Sequence, residues 1–378
     1  MIYFDSASTK GLLYPELIEA LREGIGPSPM RALGPSGDPG ASLIEQTREQ
    51  VAAYFFSDAL AASEARHFAF VPSATYALNF LLESLIQEGD RVWISPYEHN
   101  AVLRPLARLQ DRKQIDIKVL PHDARGRILP KLPEDVQLEQ DFFVLSHVSN
   151  VTGEVTPLDA LFAECRPQRL ILDLAQSAGR LPISDCLSEL RPLAFACSGH
   201  KGFGALPGLG LLYLRQDQAT EVFSGGTGQH SFNVHQPAKM PDVFELGTYN
   251  FPAILSLSKL LNSQHQPQQE RAHFAHALDL TRSFIDSAQN LPGIELFSSA
   301  EFPIVSFRVK DIDTSDLANE LAARLGLICR VGSHCAPQIH RLLGSEQSGL
   351  IRFSFDERNT REEISQVLQE LSNILRAR

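Results

Sequence analysis

The sequence predicts an α/β fold: a large, mostly parallel sheet wrapped by helices, followed by a smaller α+β unit toward the C-terminus. Three observations carry that expectation. Between residues 40 and 215, short β-branched or aromatic runs alternate with segments of helical period, the pattern of strands joined by helical crossovers. The strand candidates are apolar almost throughout, as strands covered on both faces are. At 378 residues and 43% hydrophobic content, the chain has more than twice the usual material of one core, enough for two bodies with a cleft between them.

Taken in order, Leu12, Leu13, Leu17 and Leu21 recur at helical spacing in a first segment, residues 1–25, that can pack on either body. Gly34 to Gly40 reads as a loop. Residues 67–71 (HFAFV), 91–95 (RVWIS) and 115–120 read as strands, with helices at 74–87 and 100–111 between them. Further strands follow at 142–146, 169–173 and 209–214, and Ser224 to Pro241 reads as loop. The large body is thus expected over 26–250, with ligands at the carboxyl ends of its strands. The remainder, 251–378, opens on a long helical stretch at 252–289. Strands near 293–297 and 303–309, a helix at 314–326 and strands near 327–331 and 350–355 follow. The last helix starts after Thr360, whose hydroxyl and Glu363 form a capping-box pattern.

Thirty-four lysines and arginines against forty-five acids leave a net charge of −11, which repels phosphate backbones and anionic lipid. Nucleic acid and membrane surface are therefore not expected partners. The five cysteines, Cys165, Cys186, Cys197, Cys329 and Cys335, form no CxxC pair, which points to a reducing compartment. The opening residues lack a signal-peptide pattern, and no apolar run approaches the about 18 residues of a membrane span. A cytoplasmic location follows as the expectation, with the sequon at Asn150 unused.

The chemistry-bearing residues cluster at predicted strand ends. Lys201 sits in the Gly-rich turn Ser198-Gly199-His200-Lys201-Gly202 between two strands, either an exposed loop lysine or an amine held at the sheet edge. Asp173 ends the apolar strand Leu170-Ile171-Leu172, where its charge is costly without a cationic partner; a helix cap or surface acid is the plainer reading. Together, an amine and a carboxylate at one cleft suit pyridoxal phosphate, which needs a Schiff-base lysine and a carboxylate at its ring nitrogen. The turn Pro72-Ser73-Ala74-Thr75 enters a helix, so its N–H groups and the helix dipole favour an anion, though such turns also simply cap helices.

Several segments, in order along nearly the whole chain, carry a resemblance. They are YFDSAST at 3–9, SATYALN at 73–79, EHNAVLRP at 98–105, SNVTGEVTPL at 149–158 and DLAQSAG at 173–179. They continue with SGHKGFG at 198–204, FELGTYN at 244–250, RVGSHCAP at 330–337 and LIRFSFDERNT at 350–360. The chain resembles the class V aminotransferase superfamily of fold-type I pyridoxal-phosphate enzymes, most closely its cysteine desulfurase branch. That resemblance implies a seven-stranded, mostly parallel sheet in the large domain and a homodimer with active sites at the interface. It implies Lys201 as the Schiff-base lysine, Asp173 at the pyridine nitrogen, His99 on the ring face, and Gln176 and Asn150 near the ring hydroxyl. Ser198, His200, Ala74 and Thr75 match the phosphate cup, and Thr248 a phosphate contact from the second subunit. Arg352, with Asn150, matches the site of the substrate carboxylate; Arg330 is a further candidate.

The superfamily includes aminotransferases, lyases and desulfurases, so the reaction turns on the C-terminal loop. Cys335 aligns with the nucleophile of one desulfurase group, with His334 placed to help its thiol ionise. In the other group the nucleophile precedes the motif arginine, where this chain has Ile351. Because that second group also keeps a cysteine at the position of Cys335, this residue is either the sulfur acceptor or a loop cysteine. The other four cysteines are expected to pack. The expected reaction is L-cysteine to L-alanine with sulfur left on Cys335, from which a sulfur-acceptor protein would take it. The alternatives are an aminotransferase or C–S lyase without a cysteine nucleophile, and a non-catalytic cofactor-binding relative. Ser6, where the family usually has Asn, and the Gly34–Gly40 loop, which lacks a histidine many relatives carry, leave the substrate open.

Overall fold

The structure, a computed structural model, describes residues 1–10, 14–24, 39–164, 166–227 and 232–377. Leu12, Leu13, Cys165, positions 34–38 of the expected loop and part of the 224–241 stretch lie outside the described residues. In chain order the first elements are β1 (Ile2–Tyr3), α1 (Pro15–Gly24), α2 (Pro39–Phe55), α3 (Asp58–Glu64), β2 (Phe68–Val71), α4 (Ala74–Leu85), β3 (Arg91–Ile94), α5 (Asn100–Lys113) and β4 (Asp116–Val119). Next come β5 (Phe142–Ser146), α6 (Leu158–Leu161), β6 (Arg169–Asp173), α7 (Ser184–Leu190), β7 (Ala194–Ser198), β8 (Gly210–Leu214), α8 (Phe251–Ser263) and α9 (Pro267–Ala288). The last are β9 (Ile294–Leu296), β10 (Ile304–Val309), α10 (Thr314–Leu325), β11 (Leu327–Ile328), β12 (Arg330–Gly332), α11 (Pro337–Leu342), β13 (Leu350–Ser354) and α12 (Arg361–Ala377).

Seven strands form one sheet in the order β2-β8-β7-β6-β5-β3-β4. Only β8 runs against the rest, pairing antiparallel with both β2 and β7. The reason is local: β8 follows β7 through residues 199–209, too short for the helical crossover a parallel return needs. Alternate residues of every strand but the edge strand β4 feed two apolar layers. Phe68, Phe143, Leu172, Phe195 and Tyr213 face one, Ala69, Val144, Ile171, Ala194 and Leu212 the other, the period-two division of a pleated sheet buried on both sides.

The second sheet, β12-β13-β10-β9, is antiparallel. Its core joins Phe284 of α9, Phe307, Phe353 and Phe355 to Leu371 of α12. Phe4 from the start of the chain also enters it, fully buried with its ring edge-on to Phe355 at 4.8 Å. β1 pairs parallel with β11, whereas α1 packs on α8. The first 24 residues therefore touch both halves of the molecule.

Three expectations need correction. Pro39 and Gly40 are the first residues of α2, where proline suits a helix start. The expected single helix over 252–289 is two, because Pro267 cannot continue the ladder of α8 and forces Gln266 into extended backbone (φ −77°, ψ 138°). The expected strand at 327–331 divides into β11 and β12, which join different sheets. The capping box at the start of α12 is formed: Glu363 N–H donates to Thr360 Oγ1 at 3.2 Å, and Thr360 N–H to Glu363 Oε2 at 3.0 Å.

Candidate active site

The carboxyl ends of five strands supply one cavity of about 150 Å³. Ala74 and Thr75 follow β2, His99 follows β3 and Asn150 follows β5. Asp173 ends β6 with Gln176 just beyond, and Ser198 ends β7 before His200 and Lys201. All of these residues line the cavity, although they come from positions spread over more than a hundred residues of sequence.

Lys201 stands in the β7–β8 connection, and the carbonyls of residues 199–203 all have partners. Gly199 O accepts from Ala205 N–H, His200 O from Lys10 N–H, and Lys201 O from Gly204 N–H. Gly202 O accepts from Lys10 Nζ at 3.4 Å, and Phe203 O from His265 Nε2 at 2.9 Å. The turn also lies directly on the one that follows Asp173. A Cβ on Gly202 would collide with the Ala178 carbonyl, and one on Gly179 (φ +77°) with the backbone of Gly202. Glycine at both positions lets the two turns touch. Burial pushes the Lys201 amine down to about 8, with Arg352 and Arg180 acting in the same direction and Asp173 opposing them.

Asp173 is buried, and burial raises its carboxyl above the usual range against the Ala175 N–H, which donates to Oδ1 at 2.8 Å, and Lys201. Gln176 donates to Ala7 O at 3.1 Å and leaves a buried Oε1 without a partner. His99 caps α5, its Nδ1 accepting from Ala101 N–H at 3.0 Å. It therefore both caps a helix and lines the cavity, and the cap places any single ring proton on Nε2. Burial, Lys201 and two arginines push it down to about 4, so the ring is neutral at pH 7. The N-terminus of α4 opens at Ala74 and Thr75. β8 approaches that turn so closely that a Cβ on Gly210 would strike the Ser73–Ala74 peptide.

The C-terminal residues arrive from the second sheet. Asn100 N–H donates to Cys335 O at 2.7 Å, and Asn150 Nδ2 to His334 O at 2.7 Å, so the 334–335 loop is tied to the first sheet at the cavity's edge. Cys335 is exposed, and His334 and Cys335 both adopt positive φ (48° and 58°). His334 does not meet the expectation that it aids ionisation of the thiol. Burial and Arg352 push it down to about 2, so it carries no charge to stabilise a thiolate, and neither ring nitrogen has a hydrogen-bond partner.

Arg352 is buried on β13. It donates from Nη2 to Asp5 Oδ1 (3.0 Å) and Ser8 Oγ (2.9 Å), and from Nη1 to Asn150 O (3.0 Å), while Nε has no partner. Ser6 is wholly buried, its hydroxyl on Phe355 O at 3.1 Å, so it holds the N-terminal turn to the second sheet. Arg330 is exposed and sits opposite Arg352 in register; Thr248 is exposed and outside the cavity lining.

Two residues were not singled out from sequence. Asp5, inside the YFDSAST string, is the ionic partner of Arg352. Glu98, inside EHNAVLRP, is fully buried and accepts from Ser95 Oγ (2.6 Å), Ser146 N–H (2.7 Å) and Ser146 Oγ (2.7 Å), joining the ends of β3 and β5. Burial pushes its carboxyl up to about 7. Their place within the quoted strings was the available signal.

Residues 2–367 match the family Aminotransferase class-V. The chain belongs to that family. It is 29% identical to a probable cysteine desulfurase of Pseudomonas putida, over 98% of this chain and 92% of that protein. It is 28% identical to a cysteine desulfurase of Pectobacterium atrosepticum, over 89% and 83%. Among solved structures, the apo cysteine desulfurase of Thermococcus onnurineus superposes with a TM-score of 0.86 at 23% identity, over 100% of this chain and 95% of that one. A cystine C–S lyase complexed with cysteine persulfide superposes with a TM-score of 0.76 at 21% identity, over 98% and 97%.

Proposed function

We propose that this class-V protein is a pyridoxal-phosphate-dependent cysteine desulfurase that converts L-cysteine to L-alanine and receives the sulfur on Cys335. The observation that carries the cofactor is the facing of Lys201 and Asp173 across one cavity at adjacent strand ends. The cavity fits the group: a buried carboxylate for a ring nitrogen, a partnerless Gln176 oxygen, and the open N-terminus of α4 with Ser198 and His200 for a phosphate. His99 and Asn150 would complete the set, and Thr248 would reach the site of a second protomer in a homodimer. When bound, the cofactor supplies an electron sink for the bonds at the substrate's Cα.

The chain's own residues do the rest. An amine lowered to about 8 is partly neutral at pH 7 and moves a proton at Cα. Asp173 holds a proton at the ring nitrogen. Arg352 offers a planar fork to the substrate carboxylate, which must share it with or displace Asp5. The Cys335 thiolate attacks the substrate sulfur: an S–S bond forms, the C–S bond breaks, and its electron pair stays with carbon, which takes a proton to give alanine. Support for sulfur chemistry comes from the names of the relatives and from Cys335 being exposed on a loop tied to the cavity's edge. The division into a large body at 26–250 and a small one at 251–378 belongs to this reading, as do a cytoplasmic setting and a sulfur-acceptor partner.

The test is alanine and sulfide production from L-cysteine with reductant, comparing the protein with Cys335→Ser. Loss of at least about 100-fold in the variant is expected, since a covalent route is removed. Unchanged turnover, or pyruvate in place of alanine, would move the assignment to a C–S lyase without a cysteine nucleophile.

A further inference from the structure

Resting on the reading of Lys201 as the reactive amine, we propose that His265 is a positioning residue for the lysine turn. It holds the Phe203 carbonyl on one side and Glu270 on the other, and Tyr54 extends the same clamp to the turn behind Asp173.

His265 lies in the break between α8 and α9, where the chain leaves the first sheet for the second. Its side chain is 1% exposed and that of Glu270 7%. Nε2 is 2.9 Å from Phe203 O, two residues beyond Lys201, and Nδ1 is 2.9 Å from Glu270 Oε1. A carbonyl only accepts, so Nε2 carries a proton. Tyr54 of α2 donates to the same Glu270 oxygen at 2.9 Å and accepts from Gly179 N–H at 3.0 Å. The Phe203 ring is wedged edge-on against Tyr54 (4.9 Å) and His265 (5.2 Å).

The two arms of this clamp grip the two turns on either side of one seam. At that seam Gly179 and Gly202 touch without side chains, so no interdigitation fixes how the turns align, and hydrogen bonds from behind have to do it. A histidine serving packing alone needs no partner on the lysine turn; this one spends one ring nitrogen there and the other on a buried carboxylate. If the clamp is released, the turn relaxes, water reaches the amine, and the balance among the groups facing Lys201 shifts. Those groups are Asp173, Arg352, Arg180, Cys335, His99 and His200.

The test uses the full-length chain with two readouts that do not depend on turnover: amide hydrogen exchange, and trace acylation of Lys201 by acetic anhydride across pH after removal of cofactor. In His265→Leu, exchange in segments 175–181 and 199–205 is expected to rise roughly tenfold or more, while β5 and β6 keep their protection. The Lys201 titration is expected to move up by about one pH unit, a roughly fivefold lower reactivity at pH 8. His265→Gln keeps a donor for Phe203 O and should recover most of both. Unchanged exchange and titration in a folded His265→Leu protein overturn the proposal. If that variant does not fold, Tyr54→Phe, which removes one oxygen from the clamp, decides: exchange at Gly179 must rise, and no change overturns the idea. Wild-type Lys201 titrating as an ordinary lysine would instead sink the reading of Lys201 as the tuned amine, whatever the clamp does.

Discussion

Lys201 and Asp173 each have a pKa moved by burial toward the neutral form, and each is the other's opposing charge. The surroundings that lower their charge come from the apolar strands β6 and β7, at whose ends the two side chains stand. This has a stability consequence whose sign is fixed. The folded amine sits near 8 and the ordinary lysine value is 10.5, so between those values the unfolded chain binds more protons and stability of the cofactor-free protein rises with pH. Lys201→Met is therefore expected to raise the melting temperature of cofactor-free protein at pH 7, with the advantage fading as pH passes through that window. A melting series from pH 7 to 10.5 checks it, and a constant difference between the proteins would contradict it. The neutral His99 and His334 follow from the same burial. Arg352 and Asp5 form an ion pair at 3.0 Å beside these uncharged rings.

At the scale of elements, the site is made by turns and the turns by their neighbours. The short β7–β8 return forces antiparallel pairing and leaves Lys201 at the strand ends. Gly210 then lets β8 run against the α4 turn, and Gly179 and Gly202 let the Lys201 turn meet the one that follows Asp173. The N-terminal segment works the same way from the other side: Phe4 anchors in the core of the second sheet, and Asp5 and Ser8 thereby reach Arg352. Phe4→Ala is expected to cost about 3–5 kcal/mol in urea unfolding and to raise KM for the amino-acid substrate, because Asp5 and Ser8 then no longer hold the Arg352 fork in one orientation. A loss of stability with unchanged KM would separate the anchor from the site.

At the scale of the whole molecule, cavity residues come from the first sheet, while Arg352 and Cys335 come from the second. α8 and α9 carry the chain across, and β1 ties its start to its end. Among the described residues no helix is long and apolar enough to cross a membrane. The exposed Thr248 leads to a prediction about assembly. If it completes the site of a second protomer, Thr248→Arg and Lys201→Ala chains, each inactive alone, regain about a quarter of wild-type activity when refolded together, because half the dimers then carry one intact site. No regained activity in verified mixed dimers would remove Thr248 from the site.

The large sheet was legible in the sequence because most of its strands are short apolar runs, and six of its seven strands fall within a residue or two of those read; β7 was expected only as a strand before the Lys201 turn, without bounds. The collected strings also placed Lys201, Asp173, Gln176 and Ser198 at strand ends, where order along the chain and the rules of parallel sheets are enough. What was not legible depended on partners far apart in sequence. The break at Gln264–Gln266 is the exception, because Pro267 is itself a local stop signal, overridden in the reading by the helical period on either side of it. Asp5 and Arg352 are 347 positions apart, and no local pattern joins them. His334 beside Cys335 suggested help for the thiol, and only packing revealed a buried, uncharged ring.

The sequence by itself determined the fold class, the family resemblance and the candidates for the reacting groups, because periodicity and residue type are local properties. The tertiary structure decided the charge states, the engagement of Arg352 by Asp5, and the seam of glycines clamped by His265 and Tyr54. Those depend on burial and on contacts between distant segments, which exist only once the chain has closed on itself.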